Sequence, residues 1–114
     1  MTSRETLVRL RRFQIDETHR RVAQLESTIG QFSRIARELE REISVEEQKA
    51  GISDLSHFAY PTYARAARAR RDNLQRSTEE LTVQLEEARR FLDEMLAGSS
   101  KKKAFGGGTA QLAG

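Results

Sequence analysis

The sequence predicts an all-α fold: an antiparallel two-helix coiled-coil hairpin followed by a disordered C-terminal tail. Three observations carry that expectation. Apolar residues repeat in alternating steps of three and four along two long segments. One break, rich in turn-forming residues, separates the segments. The charges are zoned so that only an antiparallel pairing sets opposite signs side by side.

The first helix is expected over residues 2–49. Val8, Ile15, Val22, Ile29, Ala36 and Ile43 share one heptad position, and Leu25, Phe32 and Leu39 share the other. Arg11 and Thr18 occupy the second position in the first third, so the seam is weaker there. Gly30 sits beside the seam and costs the helix roughly 1 kcal/mol relative to alanine.

A bend is expected over residues 50–61, with the sequence AGISDLSHFAYP. Gly51 suits a helix stop. Ser53 and Ser56 are candidate N-caps for the segment that follows, and Pro61 fits just before or inside the first turn of a helix. The second helix is expected over residues 62–97, on Ala64, Ala67, Leu74, Leu81, Leu85, Ala88, Leu92 and Met95, with Arg71 and Thr78 as polar interruptions. The hairpin thus occupies residues 2–97. Residues 98–114, GSSKKKAFGGGTAQLAG, lose all periodicity and read as a flexible tail.

Register and charge agree on the antiparallel arrangement. Folding the chain about residue 55 sets Ile43 against Ala67, Ala36 against Leu74, Ile29 against Leu81, Val22 against Ala88 and Ile15 against Met95. Several of these pairs put a large side chain against a small one, so that layers interdigitate. Residues 1–21 hold six bases and three acids, and residues 79–94 hold six acids and two bases. Residues 38–54 hold six acids and two bases, and residues 65–76 hold five bases and one acid. Each exposed pair contributes only about 0–1 kcal/mol. The pattern matters because a parallel pairing would set like charges together.

Composition narrows the function. The chain is 37% hydrophobic and 32% charged, too polar for a thick core and suited to a narrow seam. It has no cysteine, which excludes disulfides, thiolate nucleophiles and Cys-ligated zinc. The opening residues have no apolar stretch of the kind a secretory signal needs, and no apolar run approaches the ~20 residues of a membrane span. A cytoplasmic location is expected. The net charge of +3 is small, with 20 bases against 17 acids, and no nucleic-acid partner is expected.

Candidate chemistry is sparse. Glu46, Glu47, Asp54 and His57 could be drawn as metal ligands, but the plainer reading is a solvated helix end and loop. His19 lies beside Arg20 and Arg21, a poor setting for a cation. The glycines at 106–108 follow the lysines instead of preceding one, so they do not make a phosphate loop. No catalytic residue, cofactor or metal is expected, and the chain is read as a non-enzyme. Phe58, Tyr60 and Tyr63 put three of the seven aromatics at the bend and are the first candidates for a partner anchor. Arg9, Arg12 and Phe13 form a second, weaker set. The basic run Arg65, Arg68, Arg70 and Arg71 is read as pairing with the acids of residues 38–54.

The stretches RETLVRLRRFQIDETHRRVAQLE and KAGISDLSHFAYPTYARAARARRDNL resemble the flagellar export protein FliJ family in its α-proteobacterial form. The resemblance spans roughly residues 3–95 and is most specific in the hinge wording GISD-x-x-HFAYPTYA-x-AA. From Gly98 the chain differs from the family, whose second helix runs on with charged residues. The resemblance implies a coiled-coil component of the flagellar type III export apparatus. Its implied partners are the export ATPase ring, the cytoplasmic domain of the export gate and export chaperones. They would bring it to the membrane at the flagellar base only indirectly. Read from the residues alone, a dimeric coiled-coil adaptor and a small nucleic-acid binder remain as alternatives.

Overall fold

The structure, a computed structural model, describes the backbone of residues 2–107 and the side chains of residues 2–98. It holds two helices, α1 at Ser3–Ala50 and α2 at Thr62–Gly107, with no strand among the described residues. The fold is an all-α helical hairpin.

Local chemistry sets both ends of α1. Thr2 accepts a hydrogen bond from the Glu5 backbone N–H on its hydroxyl, at 3.1 Å, and its own N–H points back to the Glu5 carboxylate at 3.4 Å. This reciprocal capping box satisfies donors that the first turn cannot pair internally. At the other end Gly51 takes φ +70°, a conformation that carries a steric cost for residues with a Cβ. The N–H groups of Gly51 and Ile52 both reach the Glu47 carbonyl, at 2.9 and 3.3 Å. That αL reversal ends the helix where the sequence places the stop.

The bend is a chain of small turns. Asp54 Oδ1 accepts from both the backbone N–H and the hydroxyl of Ser56, at 2.9 and 2.8 Å. His57 N–H donates to the Asp54 carbonyl and Tyr60 N–H to the His57 carbonyl. Neither Ser53 nor Ser56 is the N-cap of α2. That place falls to Pro61, whose carbonyl accepts from Arg65 N–H at 3.0 Å. Proline has no N–H to leave unpaired there, and Ser56 is already committed to Asp54.

The second helix runs ten residues past its expected end at 97, reaching Gly107. No proline or αL glycine interrupts residues 98–105, and lysine and alanine favour helix. Of the tail expected over 98–114, the part from 108 onward lies outside the described residues.

The chain divides into two compact units. One is Leu25–Val83, the bend with the adjoining parts of both helices. Its buried residues are Leu25, Ala36, Leu39 and Ile43 from α1, Ala64 and Ala67 from α2, and Tyr60 from the bend. Leu39, Ile43 and Ala67 form one cluster, with Leu74 packed against it. Thr78, a polar seam position, returns its hydroxyl to the Leu74 carbonyl at 2.8 Å. The hydroxyl is thereby satisfied within its own helix. Arg71, the other interruption, bonds to Asp72 beside it.

The second unit combines residues 1–24 with residues from Gln84 onward. Leu85 and Leu92 are buried, and Ile15, Val22, Ala88 and Met95 are half-buried. Thr18 donates its hydroxyl to the Gln14 carbonyl at 2.7 Å, as Thr78 does in the other unit. Arg21 donates to Gln84 Oε1 across the helices at 3.0 Å. Of the predicted seam residues only Val8 is exposed, at 52%.

The two glycines of α1 and its stop give opposite expectations. A Cβ at Gly30 meets only the flexible end of Arg34, at 3.6 Å. Gly30→Ala therefore raises stability by about 0.5–1 kcal/mol. Gly51→Ala, forced to the same positive φ, lowers it by about 1–2 kcal/mol. Paired thermal melts followed by circular dichroism check both signs.

Candidate functional site

Two long helices joined by a bend expose their ends and sides, and the bend carries the densest cluster of aromatic and charged contacts. Tyr60 is its centre. The ring is only 4% exposed. Its hydroxyl donates to Glu47 Oε2 at 2.6 Å and accepts from Arg68 Nε at 2.8 Å. Arg68 Nη2 also donates to Glu47 Oε2, at 2.9 Å, which closes a three-membered clasp between the end of α1, the bend and the start of α2. The guanidinium of Arg65 lies 5.3 Å from the Tyr60 ring centroid, and that of Arg68 lies 5.9 Å away. Cation–π contacts of this kind contribute about 0.5–1 kcal/mol when partly exposed. Arg65 further donates to the Leu55 carbonyl at 3.0 Å, tying the bend backbone to α2.

The electrostatics follow the geometry. The Tyr60 hydroxyl, then the Arg68 guanidinium, holds the Glu47 carboxyl below the usual glutamate range. The same contacts, with Glu47 first, push Arg68 further up. The Ser56 backbone N–H, then its hydroxyl, holds Asp54 below the usual range. Tyr63 is raised, chiefly because its hydroxyl donates to the Glu42 carboxylate.

The three aromatics expected to act together have separate fates. Phe58 is 95% exposed and stacks on the His57 ring at a centroid distance of 4.8 Å. His57 Nδ1 accepts from the Ala59 backbone N–H at 3.0 Å, which sets the ring under Phe58. Tyr63 is 52% exposed, with its hydroxyl tied to Glu42. Tyr60 corrects the expectation of a partner anchor, because burial and its two hydrogen bonds commit it to the clasp. Leu55 adds a 41% exposed apolar side chain to the bend.

Two of the acids drawn as possible ligands are also committed. Glu47 serves the clasp and Asp54 the Ser56 turn. Among the described residues no group of three or more His, Cys, Asp or Glu side chains is arranged to hold a metal ion. Three of the four bend-proximal arginines, Arg65, Arg68 and Arg71, make polar contacts within the fold. Only Arg68 of these meets an acid of residues 38–54, so the expected pairing is realised as one ion pair plus local contacts.

Arg9, Arg12 and Phe13 belong to the other unit, and all three are exposed, Phe13 at 59%. Reading the sequence for its seam passed over Leu7 and Leu10, which are 65% and 50% exposed nearby. Their signal was present in the spacing Leu7, Leu10, Phe13, a second apolar row beside the seam. The clasp was missed because Glu47 and Arg68 read as ordinary members of charged blocks.

The clasp predicts an acid-dependent stability. A carboxylate depressed in the folded chain stabilises the fold above the ordinary glutamate range, and that contribution is lost as pH falls through the folded value. Glu47→Gln therefore lowers Tm at neutral pH. The gap between the variant and the parent closes as pH drops below about 4. Melts across pH 3–7 measure it.

Comparison with known proteins returns nothing: no family model matches the chain, and neither a curated protein nor a solved structure gives a significant match.

Proposed function

We propose that this chain is a non-catalytic binding protein whose bend presents Phe58 to a partner, and that it serves flagellar type III export as a FliJ-like component. The observation that carries the binding reading is the contrast within one turn of the bend. Tyr60 is buried and clasped, while Phe58, two residues earlier, stands 95% exposed on a ring held in place by the backbone. Leaving a phenyl ring in water forgoes about 2 kcal/mol of burial. A partner pocket recovers it, and a pre-ordered aromatic loses little entropy on binding.

The flagellar part rests on the sequence resemblance, most specific in the segment GISDLSHFAYPTYA, which forms this bend. A helical hairpin is also the architecture that resemblance implies. In this reading the chain hydrolyses nothing. It links the export ATPase, the cytoplasmic part of the export gate and export chaperones by binding, and it reaches the membrane through them.

The test is capture of the source organism's export ATPase and of the cytoplasmic domain of its export gate by the full chain. The intact chain is expected to retain at least one of them. Phe58→Ser is expected to weaken that capture about thirtyfold, the effect of losing an interface hot spot of about 2 kcal/mol. Its Tm should change little, because the ring is 95% exposed and stacks only on the exposed His57 ring. Leu39→Asp, which unfolds the seam, is the negative control. Failure of the intact chain to hold either partner defeats the flagellar assignment. Equal capture by Phe58→Ser defeats the assignment of the bend.

A further inference from the structure

The opening turns of α1 carry a surface that the hairpin does not use. With about 100° between successive residues of a helix, Ser3, Thr6, Leu7, Leu10, Phe13 and Gln14 share one face. Leu7, Leu10 and Phe13 are 65%, 50% and 59% exposed on it. Residues 2–14 place no charge within this face. Arginines flank both of its edges, Arg4 and Arg11 on one side and Arg9 on the other, while Arg12 lies on the opposite side of the helix. The acid within the same stretch is Glu5, whose carboxylate faces the capping N–H of Thr2. The next acid on this face, Glu17, is paired with Arg20 at 2.5 Å and closes the face at its far end. Among the described residues none of the four arginines makes an ion pair.

We propose that this face is a docking surface for anionic lipid headgroups, with α1 lying along the bilayer surface. The charge distribution selects that occupant. The guanidinium groups spread along two edges of a convex helix instead of converging on one point. That suits a sheet of negative groups, with the long arginine side chains reaching up around an apolar strip. A second copy of the chain is disfavoured, because a two-fold contact would set the three flanking arginines against the same three. Among the described residues no helix is long and apolar enough to cross a membrane, so the contact is with the bilayer surface. This inference stands apart from the flagellar reading, which brings the chain to the membrane through protein partners.

The experiment is co-sedimentation of the full chain with vesicles of phosphatidylcholine alone and with about 30% phosphatidylglycerol, at low and high salt. Partition is expected to be about tenfold or more stronger on the acidic vesicles and to weaken as salt screens the arginines. The triple variant Leu7→Gln, Leu10→Gln, Phe13→Gln keeps every charge and is expected to lose most of the binding. The double variant Arg4→Gln, Arg9→Gln keeps the apolar strip and is expected to lose the preference for acidic lipid. All the replaced side chains are exposed, and circular dichroism verifies that helicity is kept. Phe58→Ser is expected to bind like the parent. Absent binding to acidic vesicles, equal binding to neutral ones, or indifference to the triple variant overturns the proposal. Retention on polyglutamate without binding to vesicles also overturns it, and assigns the face to an acidic protein.

Discussion

A pair of helices has a single seam to bury, and everything else in this chain is arranged around that limit. The seam residues lie at three-four spacing, and those with the deepest burial are Leu25, Ala36, Leu39, Ile43, Ala64, Ala67, Leu85 and Leu92. Among the described residues none of the large side chains is fully sequestered. Stability must then come from many small, well-placed contacts. That explains why threonine is tolerated at Thr18 and Thr78. Each hydroxyl turns back to the carbonyl one turn earlier, so the seam meets no unsatisfied polar group.

The end of a two-helix seam is its weakest point, because the last layer has no neighbour beyond it. The Glu47–Tyr60–Arg68 clasp closes that layer. A tyrosine suits the place, since its ring covers the seam while its hydroxyl reaches the charged rim. Arg68 and Glu47 retain 27% and 17% of their side-chain exposure, and their shared bond to Tyr60 gives the pair a fixed geometry that surface pairs usually lack. The pairs within one helix, Arg20–Glu17 and Arg41–Glu38, are far more exposed and contribute correspondingly little.

A clasped bend and an unclasped aromatic beside it are two consequences of one geometry. Once Tyr60 turns inward, the short turns built on Asp54 and His57 carry Phe58 outward. The same division appears along the opening turns of α1, where Ile15 turns toward the seam while Leu7, Leu10 and Phe13 do not. In both places apolar side chains exceed what one seam can cover, and the surplus stays exposed.

The sequence by itself determined the class of fold, the two helices, their antiparallel order, the stop at Gly51 and nearly every seam residue. These are legible because helical periodicity and charge zoning are repeated many times along the chain. Repetition makes a weak local signal strong. Tertiary structure decided the fate of features that occur once. Phe58 and Tyr60 are two residues apart and chemically alike, and only the path of the bend turns one out and the other in. Ser56 looks like a helix cap, but Asp54 captures it first. Glu47 and Arg68 gain their role from a distance of 2.9 Å that no spacing in the sequence encodes. The reach of α2 to Gly107 is a local effect, following from the absence of a stop, a condition that apolar periodicity does not register.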